Sequence, residues 1–183
     1  MSDKLDLKSF RNELLRGDPN QGGLAPNTSV EELSRDSLTG LLNRGLWEAE
    51  MNQYVKEAAR RHENFAIILI DLDDFKSKQD ILGHQWGDNL LSRLGDSIGE
   101  KFRDEDIKGR YGGDEMIVLM EDFKVPLDQI EQKKKEISQF LSDKIKAEVS
   151  VGIAIWDGKA SLKDVINNAD RDLYKVKKIK KNV

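Results

Sequence analysis

The sequence contains no cysteine among its 183 residues, so disulfide bonds and thiolate chemistry are excluded. Long hydrophobic runs are also missing, because the longest, Phe65–Ile70, is far too short to span a membrane. There is no excess of positive charge, since the net charge is −4, and this disfavours a nucleic-acid polymer as partner. These absences predict a soluble cytoplasmic protein and leave a mononucleotide ligand open.

Proline is scarce, and two of the three prolines fall between Arg16 and Thr28. That stretch is also rich in glycine and asparagine, which indicates a linker. Before it, Leu5–Leu15 has approximately helical apolar spacing. We therefore divide the chain into an N-terminal arm and linker over residues 1–28 and one domain over residues 29–183. The arm is expected either to be disordered or to dock on its own domain or on a protein partner.

The rest of the chain alternates helical and strand patterns. A capping box at Ser29–Glu32 predicts a helix start near Val30, which a turn within Asp36–Arg44 interrupts. Further helices are predicted over 46–61, 87–102, 127–141 and 162–181, strands over 65–71 and 147–156, and a hairpin over 107–120. This β-α-β-β-α-β order predicts an α+β fold of the ferredoxin-like type, with an antiparallel central sheet flanked by helices.

Acidic residues stand at the ends of two of these strands. Asp71 ends an apolar strand, while Asp114 and Glu115 follow the adjacent glycines Gly112 and Gly113. Adjacent glycines suit a tight hairpin because they tolerate positive φ. Taken alone, such a turn is more often a solvated hairpin. Paired in one sheet, the two strand ends would form an oxygen-rich site for Mg²⁺.

The segment Gly112–Met116 resembles the signature of the GGDEF family, the diguanylate cyclases, with Met116 where the signature has phenylalanine. Five other segments match the family in the same order: Asp36–Arg44, Asp71–Lys76, Gly83–Asp88, Ser150–Ala154 and Ala169–Lys177. The resemblance covers roughly Val30 to Asn182. It implies the nucleotidyl cyclase type of the ferredoxin-like fold, with Met116 on the buried side of its strand.

By this resemblance, the domain condenses two GTP molecules into cyclic di-GMP and pyrophosphate. The family's metal ligands match Asp71, the Leu72 carbonyl and Asp114, for Mg²⁺ with Mn²⁺ as an alternative, and Glu115 would assist the metal or the attacking hydroxyl. The implied substrate-binding residues are Asp74, Phe75, Lys76, Lys177 and Lys181 for phosphate and Gln79 and Asp88 for guanine. Because each domain holds one GTP, a homodimer is implied at least transiently.

Besides Met116, the chain departs from the family pattern at positions implied to bind the guanine and the phosphates of GTP. Gln79 stands where the family has asparagine, so its amide is displaced by about a bond length. At the end of the last helix, Lys180 and Lys181 replace glycine and arginine, and a lysine offers a point charge instead of a bidentate fork. We expect Lys180 to complement a solvated helix end and Asp73 to be an exposed loop acid.

Arg103 and Asp106 precede Gly112 at the spacing of the family's Arg-x-x-Asp product-inhibition site. An arginine fork suits a phosphate or a guanine edge, although four charged residues at a helix end also suit a solvated turn. An alternative function follows, in which a catalytically degenerate domain binds cyclic di-GMP there and signals through a protein partner. A mixed purine dinucleotide product is disfavoured, because the acceptors of Asp88 suit guanine and not adenine.

Overall fold

The computed structural model describes residues 34–156 and 158–181. The strands in this part of the chain are β1 (Ala66–Leu72), β2 (Ile107–Arg110), β3 (Glu115–Met120) and β4 (Val149–Ile155). The helices are α1 (Arg44–Arg61), α2 (Phe75–Leu82), α3 (His84–Lys101), α4 (Ile130–Ile145) and α5 (Leu162–Lys181), and a 3-10 turn (Leu127–Gln129) precedes α4. The predicted arm, linker and helix start near Val30 lie outside the described residues.

The four strands form one antiparallel sheet in the order β2-β3-β1-β4. Strand β1 lies inside the sheet and is buried along its whole length, as its unbroken apolar sequence predicts. Its Ile68 is opposite Val118 on one side and Ile153 on the other. This order and these pairings confirm the predicted ferredoxin-like α+β fold.

Helices cover both faces of the sheet, and each face has its own apolar core. Ile68 and Ile70 of β1 belong to the core formed with α3 and α4. Ile67 and Leu69 belong to the core formed with α1 and α5, which includes the fully buried Trp47. Because side chains alternate along a strand, Asp71 continues the row of Ile67 and Leu69 and faces α5. The strand period therefore directs an acid toward the last helix.

The helix boundaries correct the sequence prediction in three places. Phe75–Leu82 is a separate helix that the pattern did not reveal, and α3 begins at His84 instead of Gly87. Gly83, with φ of 90°, separates the two helices in a conformation that glycine tolerates well. A 3-10 turn replaces the predicted start of α4, which continues to Ile145. No helix in the described part of the chain is long and apolar enough to cross a membrane.

Candidate functional site

Two acidic residues face each other across the central strands. Asp71 near the end of β1 is directly opposite Glu115 at the start of β3 in the antiparallel register. Asp71 is only 6% exposed. Like charges placed directly opposite each other destabilise a sheet. The fold therefore places two carboxylates where a cation is needed to offset their repulsion.

Lys177 of α5 supplies one such cation in the structure. Its ammonium forms an ion pair with Oδ1 of Asp71, although this buried oxygen accepts no well-aligned hydrogen bond within the described residues. The pKa of Asp71 is raised to about 6, mainly by burial; the Lys177 ammonium opposes this shift, and the charges of Asp114 and Glu115 add to it. The lysine thus compensates the acidic group only partly, which leaves the site electronegative.

The turn between β2 and β3 is held by backbone contacts. The amides of Tyr111 and Gly112 both donate to the carbonyl of Glu115, at 2.8 and 3.1 Å. A Cβ atom on Gly112 would lie 2.5 Å from Oε2 of Glu115. Among the described residues, the glycines with positive φ are Gly40, Gly83 and Gly158. A side chain at Gly112 would therefore displace the carboxylate of Glu115, and neither glycine of the pair uses the positive φ that glycine tolerates.

Arg110 connects this turn to the segment before α1. Its guanidinium donates to the carbonyls of Gly112 and Gly113, at 3.2 and 2.7 Å, and to both carboxylate oxygens of Asp36, at 3.1 and 3.0 Å. Burial opposes ionisation of Asp36, but hydrogen bonds from Thr39 and Arg110 outweigh it and hold the pKa of this carboxyl below its usual value. Arg110 thereby fixes the backbone immediately before Asp114, the acid of the turn.

Three of the residues predicted to bind phosphate, Asp74, Lys177 and Lys181, line a cleft of about 180 Å³ at the end of α5. Its lining residues are Asp73, Asp74, Glu148, Lys177, Lys180 and Lys181. Phe75 is buried as the first residue of α2, whereas Lys76 is exposed. Amides at a helix start and nearby ammonium groups are both suited to binding phosphate. The cleft therefore combines ammonium groups with the first backbone amides of α2, both of which can bind phosphate, although three carboxylates line it as well.

The structure contradicts two expectations about this cleft. The side chain of Asp73 is only 12% exposed, accepting a hydrogen bond from Ser150 at 2.7 Å and pairing with Lys180 at 2.6 Å. Asp73 is therefore not an exposed loop acid, and Lys180 is not merely a solvated helix-end charge. The sequence pattern gave no signal for this pair, because its members are 107 positions apart.

The two residues predicted to bind guanine lie on neighbouring helices, Gln79 on α2 and Asp88 on α3. A Cβ atom on Gly87 would lie 2.3 Å from Nε2 of Gln79 and 3.1 Å from Cζ of Phe75. The Gln79 amide therefore packs against the bare backbone immediately before Asp88. The Asp88 side chain is exposed, and it forms no hydrogen bond or ion pair among the described residues.

The predicted product-inhibition pair has two different environments. Asp106 is 3% exposed and accepts from the amides of Arg103 and Glu121, at 2.9 and 3.1 Å. The Arg103 side chain is 65% exposed, with Glu105 at 3.8 Å. Asp106 thus ties a loop to the end of β3, while Arg103 projects into solvent. Their role in binding a dinucleotide stays a prediction.

The acidic residues at the β1 and β3 ends fit Mg²⁺. They offer hard oxygen ligands, and the buried Oδ1 of Asp71 has the Lys177 ammonium beside it but no hydrogen bond of good geometry. In residues 34–156 and 158–181, no group of three or more His, Cys, Asp or Glu residues is arranged to hold a metal ion by itself. This agrees with the usual behaviour of Mg²⁺, which takes one or two carboxylates and completes its octahedron with water and substrate phosphates.

Comparison with known proteins shows which family has this fold and these acidic strand ends. The sequence model of the family described as "Diguanylate cyclase, GGDEF domain" matches residues 33–183. The chain belongs to the GGDEF family. Among curated relatives, the bifunctional diguanylate cyclase/cyclic di-GMP phosphodiesterase MucR of Pseudomonas aeruginosa is 34% identical over 149 residues, which are 78% of this chain and 22% of that protein.

A second GGDEF relative is the probable diguanylate cyclase DgcC of Escherichia coli, 29% identical over 155 residues that make up 81% of this chain and 42% of that protein. The chain thus spans less than half the length of these two curated relatives. Among solved structures, the GGDEF domain of DgcB from Caulobacter crescentus in complex with c-di-GMP has a TM-score of 0.74 and 25% identity. That match covers 86% of this chain and 93% of the DgcB domain.

Proposed function

We propose that this GGDEF domain is a diguanylate cyclase that condenses two GTP molecules into cyclic di-GMP with release of pyrophosphate. The observation that carries the proposal is the cross-strand pair of Asp71 and Glu115, with Lys177 beside it at the edge of a cleft that three lysines and three acids line. In the reaction, a ribose 3′-OH attacks an α-phosphate, so negative charge on the phosphates must be offset and the hydroxyl must lose its proton.

Asp71, the Leu72 carbonyl and Asp114 would hold Mg²⁺, with Mn²⁺ as an alternative. The bound ion supplies a Lewis acid that neutralises phosphate charge and lowers the pKa of the attacking hydroxyl. Glu115 lies directly opposite Asp71 and would assist either the metal or the hydroxyl. The turn that Arg110 fixes then sets where Asp114 stands relative to Asp71.

The triphosphate would lie in the cleft at the end of α5. Backbone amides of Asp74–Lys76 at the start of α2 would donate to it, and Lys177 and Lys181 would offset its charge. When phosphates enter, Lys177 would exchange its ion pair with Asp71 for contacts to them. The base would lie between α2 and α3, where Gln79 and the carboxylate of Asp88 can bind a guanine edge.

Two such domains are needed for one cyclic product. Each domain offers one cleft, and the hydroxyl bound by one must reach the α-phosphate bound by the other. A homodimer is therefore required at least transiently. The N-terminal arm over residues 1–28 is proposed as the contact for a protein partner.

The test is incubation of purified protein with GTP and Mg²⁺, with chromatographic detection of cyclic di-GMP and pyrophosphate. ATP serves as the matched substrate control, because Asp88 offers acceptors that suit guanine alone. We expect a dinucleotide from GTP and none from ATP. Absence of cyclic di-GMP over a range of protein concentrations that favours dimers would reject the cyclase proposal.

A receptor for cyclic di-GMP is the second candidate, and the exposed guanidinium of Arg103 favours it. The buried carboxylate of Asp106 already accepts two backbone amides, so in this structure Arg103 is the member of the pair open to a ligand. Calorimetry with Arg103→Ala tests this candidate. Loss of one charge-assisted contact should weaken dinucleotide binding by roughly tenfold to a hundredfold. If the wild type and the variant bind cyclic di-GMP equally, or if neither binds it, the proposed site at Arg103 is rejected.

A further inference from the structure

The loop between β1 and α2 is fixed at a single residue, Asp73. Its amide donates to the carbonyl of Glu148 at 3.0 Å, and its carbonyl accepts from Nζ of Lys78 at 3.2 Å. Its carboxylate accepts from Oγ of Ser150 at 2.7 Å and from Nζ of Lys180 at 2.6 Å. Every polar group of Asp73 therefore has a partner, and these partners come from α2, α5 and the start of β4.

Lys180 is the partner that couples this loop to the last helix. Besides its contact with Asp73, its ammonium donates to the carbonyl of Val149 at 3.0 Å. The Lys180 side chain is 37% exposed. Lys180 lines the cleft together with Lys177 and Lys181, but two acceptors, one of them a carboxylate, already hold its ammonium. We therefore assign the phosphate contacts to Lys181 and to Lys177, which would give up its ion pair with Asp71.

The position of Asp73 makes this coupling relevant to the proposed function. Asp73 lies directly between the proposed metal ligands Asp71 and Leu72 and the first amides of α2, which are proposed to bind phosphate. A shift of this loop would move both groups together. An ion pair that holds the loop before the nucleotide arrives reduces the ordering cost of binding. The GGDEF pattern has glycine where this chain has Lys180, so a domain that follows the pattern has no side chain there to form the contact.

We propose that Lys180 is a positioning residue, which fixes the phosphate-binding loop through Asp73 and offsets the loss of a forked side chain at Lys181. The inference builds on the proposed function, because it assigns the cleft to a triphosphate. Lys180 itself does not touch the nucleotide. Its effect is expected in the affinity for GTP and in the order of the loop, and not in the chemical step.

The test compares Lys180→Met with Lys180→Arg and with Lys178→Met. Lys178 is an exposed lysine two positions earlier on α5, so its variant removes the same charge without touching Asp73. Binding of a non-hydrolysable GTP analogue with Mg²⁺ is measured by calorimetry. Because the pair is partly exposed, Lys180→Met should weaken binding by roughly twofold to fivefold. Lys180→Arg should restore most of the affinity, and Lys178→Met should remain near wild type.

Hydrogen exchange of the backbone around Asp73–Phe75 gives a readout that does not require nucleotide. Lys180→Met should exchange faster in this loop, while Lys178→Met should not. Asp73→Asn combined with Lys180→Met should lose less affinity than the sum of the single variants, since both remove one contact. Equal losses in the Lys180 and Lys178 variants would show a general charge effect and overturn the proposal, as would unchanged binding and exchange in Lys180→Met.

The two proposals fail separately in these experiments. A wild-type protein that binds the analogue but makes no cyclic di-GMP rejects the cyclase function and leaves the Lys180 contact to be judged by affinity and exchange. An active wild type whose Lys180→Met variant keeps its KM rejects the positioning role alone. In an active enzyme, the variant should raise KM for GTP and leave kcat nearly unchanged.

Discussion

Two buried acids lie near opposite ends of strand β3, and their surroundings differ. At one end, Asp71 is 6% exposed, and at the other, Asp106 is 3% exposed. Burial raises the pKa of both carboxyls. Asp106 receives two backbone hydrogen bonds, which oppose the shift, whereas Asp71 faces Glu115 across the sheet and has a single ammonium beside it.

This difference separates an acid that holds a loop in place from the acid that we propose as a metal ligand. A buried carboxylate with two amide donors completes the hydrogen bonding of a loop and needs nothing further. A buried carboxylate opposite another acid is costly unless a cation is added, and native structures keep such costs mainly where function requires them. Burial alone would have ranked the two acids as equals, and their partners distinguish them.

The largest effect should come from removing a proposed metal ligand at the Asp71 end. Asp114→Asn is expected to lower cyclic di-GMP formation by about a hundredfold or more, because the charge that holds Mg²⁺ at the turn is lost. Asp114 is half-buried on a turn, so the fold should survive. The measurements are product formation and the circular dichroism spectrum. Asp128→Asn, at an exposed acid of the 3-10 turn, is the control and should retain full activity.

Removing the acid at the other end should affect folding instead of turnover. Asp106→Ala leaves the amides of Arg103 and Glu121 without their acceptors, and this should lower the free energy of unfolding by about 1–3 kcal/mol. Urea denaturation measures the change. Its control is Asp104→Ala at an exposed neighbour, with an expected change below about 0.5 kcal/mol. Equal stability of the two variants would contradict the structural role of Asp106.

The sequence was sufficient to predict the sheet and the acids at the ends of its two inner strands. An unbroken apolar run predicted the buried strand β1, and the glycine pair predicted the hairpin that brings Glu115 opposite Asp71. The strand and the hairpin follow from local pattern, which is why the sequence alone predicts them. The resemblance to the GGDEF signature also implied that Met116 is on the buried side, and it is fully covered.

Contacts between distant segments could not be predicted in the same way. Asp73 and Lys180 each look like ordinary surface charges, and only the packing of α5 against β4 brings them together. Asp36 and Arg110 are another such pair, 74 positions apart. Helix α2 was missed because its eight residues are too few to show a clear helical period. Side-chain pairs between distant segments are therefore known only from the three-dimensional structure.

A divalent cation should stabilise the fold through the acids at the Asp71 end of β3 and not through Asp106 at the other end. If Mg²⁺ binds the native state at Asp71, ten times its Kd should raise the free energy of unfolding by about 1.4 kcal/mol, or roughly 3–6 °C in Tm. Asp71→Asn should lose this response and Asp104→Ala should keep it. Thermal melts with Mg²⁺ and with EDTA provide the measurement. The same Tm shift in the Asp71 variant would place the ion elsewhere.

The smallest effect concerns the guanine contact. Gln79→Asn shortens the side chain by one methylene and restores the amide position of the GGDEF pattern. In the structure, the longer amide lies against Gly87, immediately before Asp88, and a Cβ atom at Gly87 would lie 2.3 Å from it. The head group therefore has little room to adjust on the side of α3. We expect the variant to raise kcat/KM for GTP by about threefold to tenfold, since small displacements of a substrate contact affect the rate strongly.

Gly87→Ala is the matched variant for this prediction, because it pushes the glutamine amide from the same side. In the wild-type background it should lower kcat/KM, while in the Gln79→Asn background the shorter side chain leaves space and the loss should be smaller. Steady-state kinetics of the four proteins measure the coupling between the two positions. If Gln79→Asn leaves kcat/KM unchanged and Gly87→Ala costs the same in both backgrounds, the loop absorbs the extra methylene, and the Gln79 amide does not position the base.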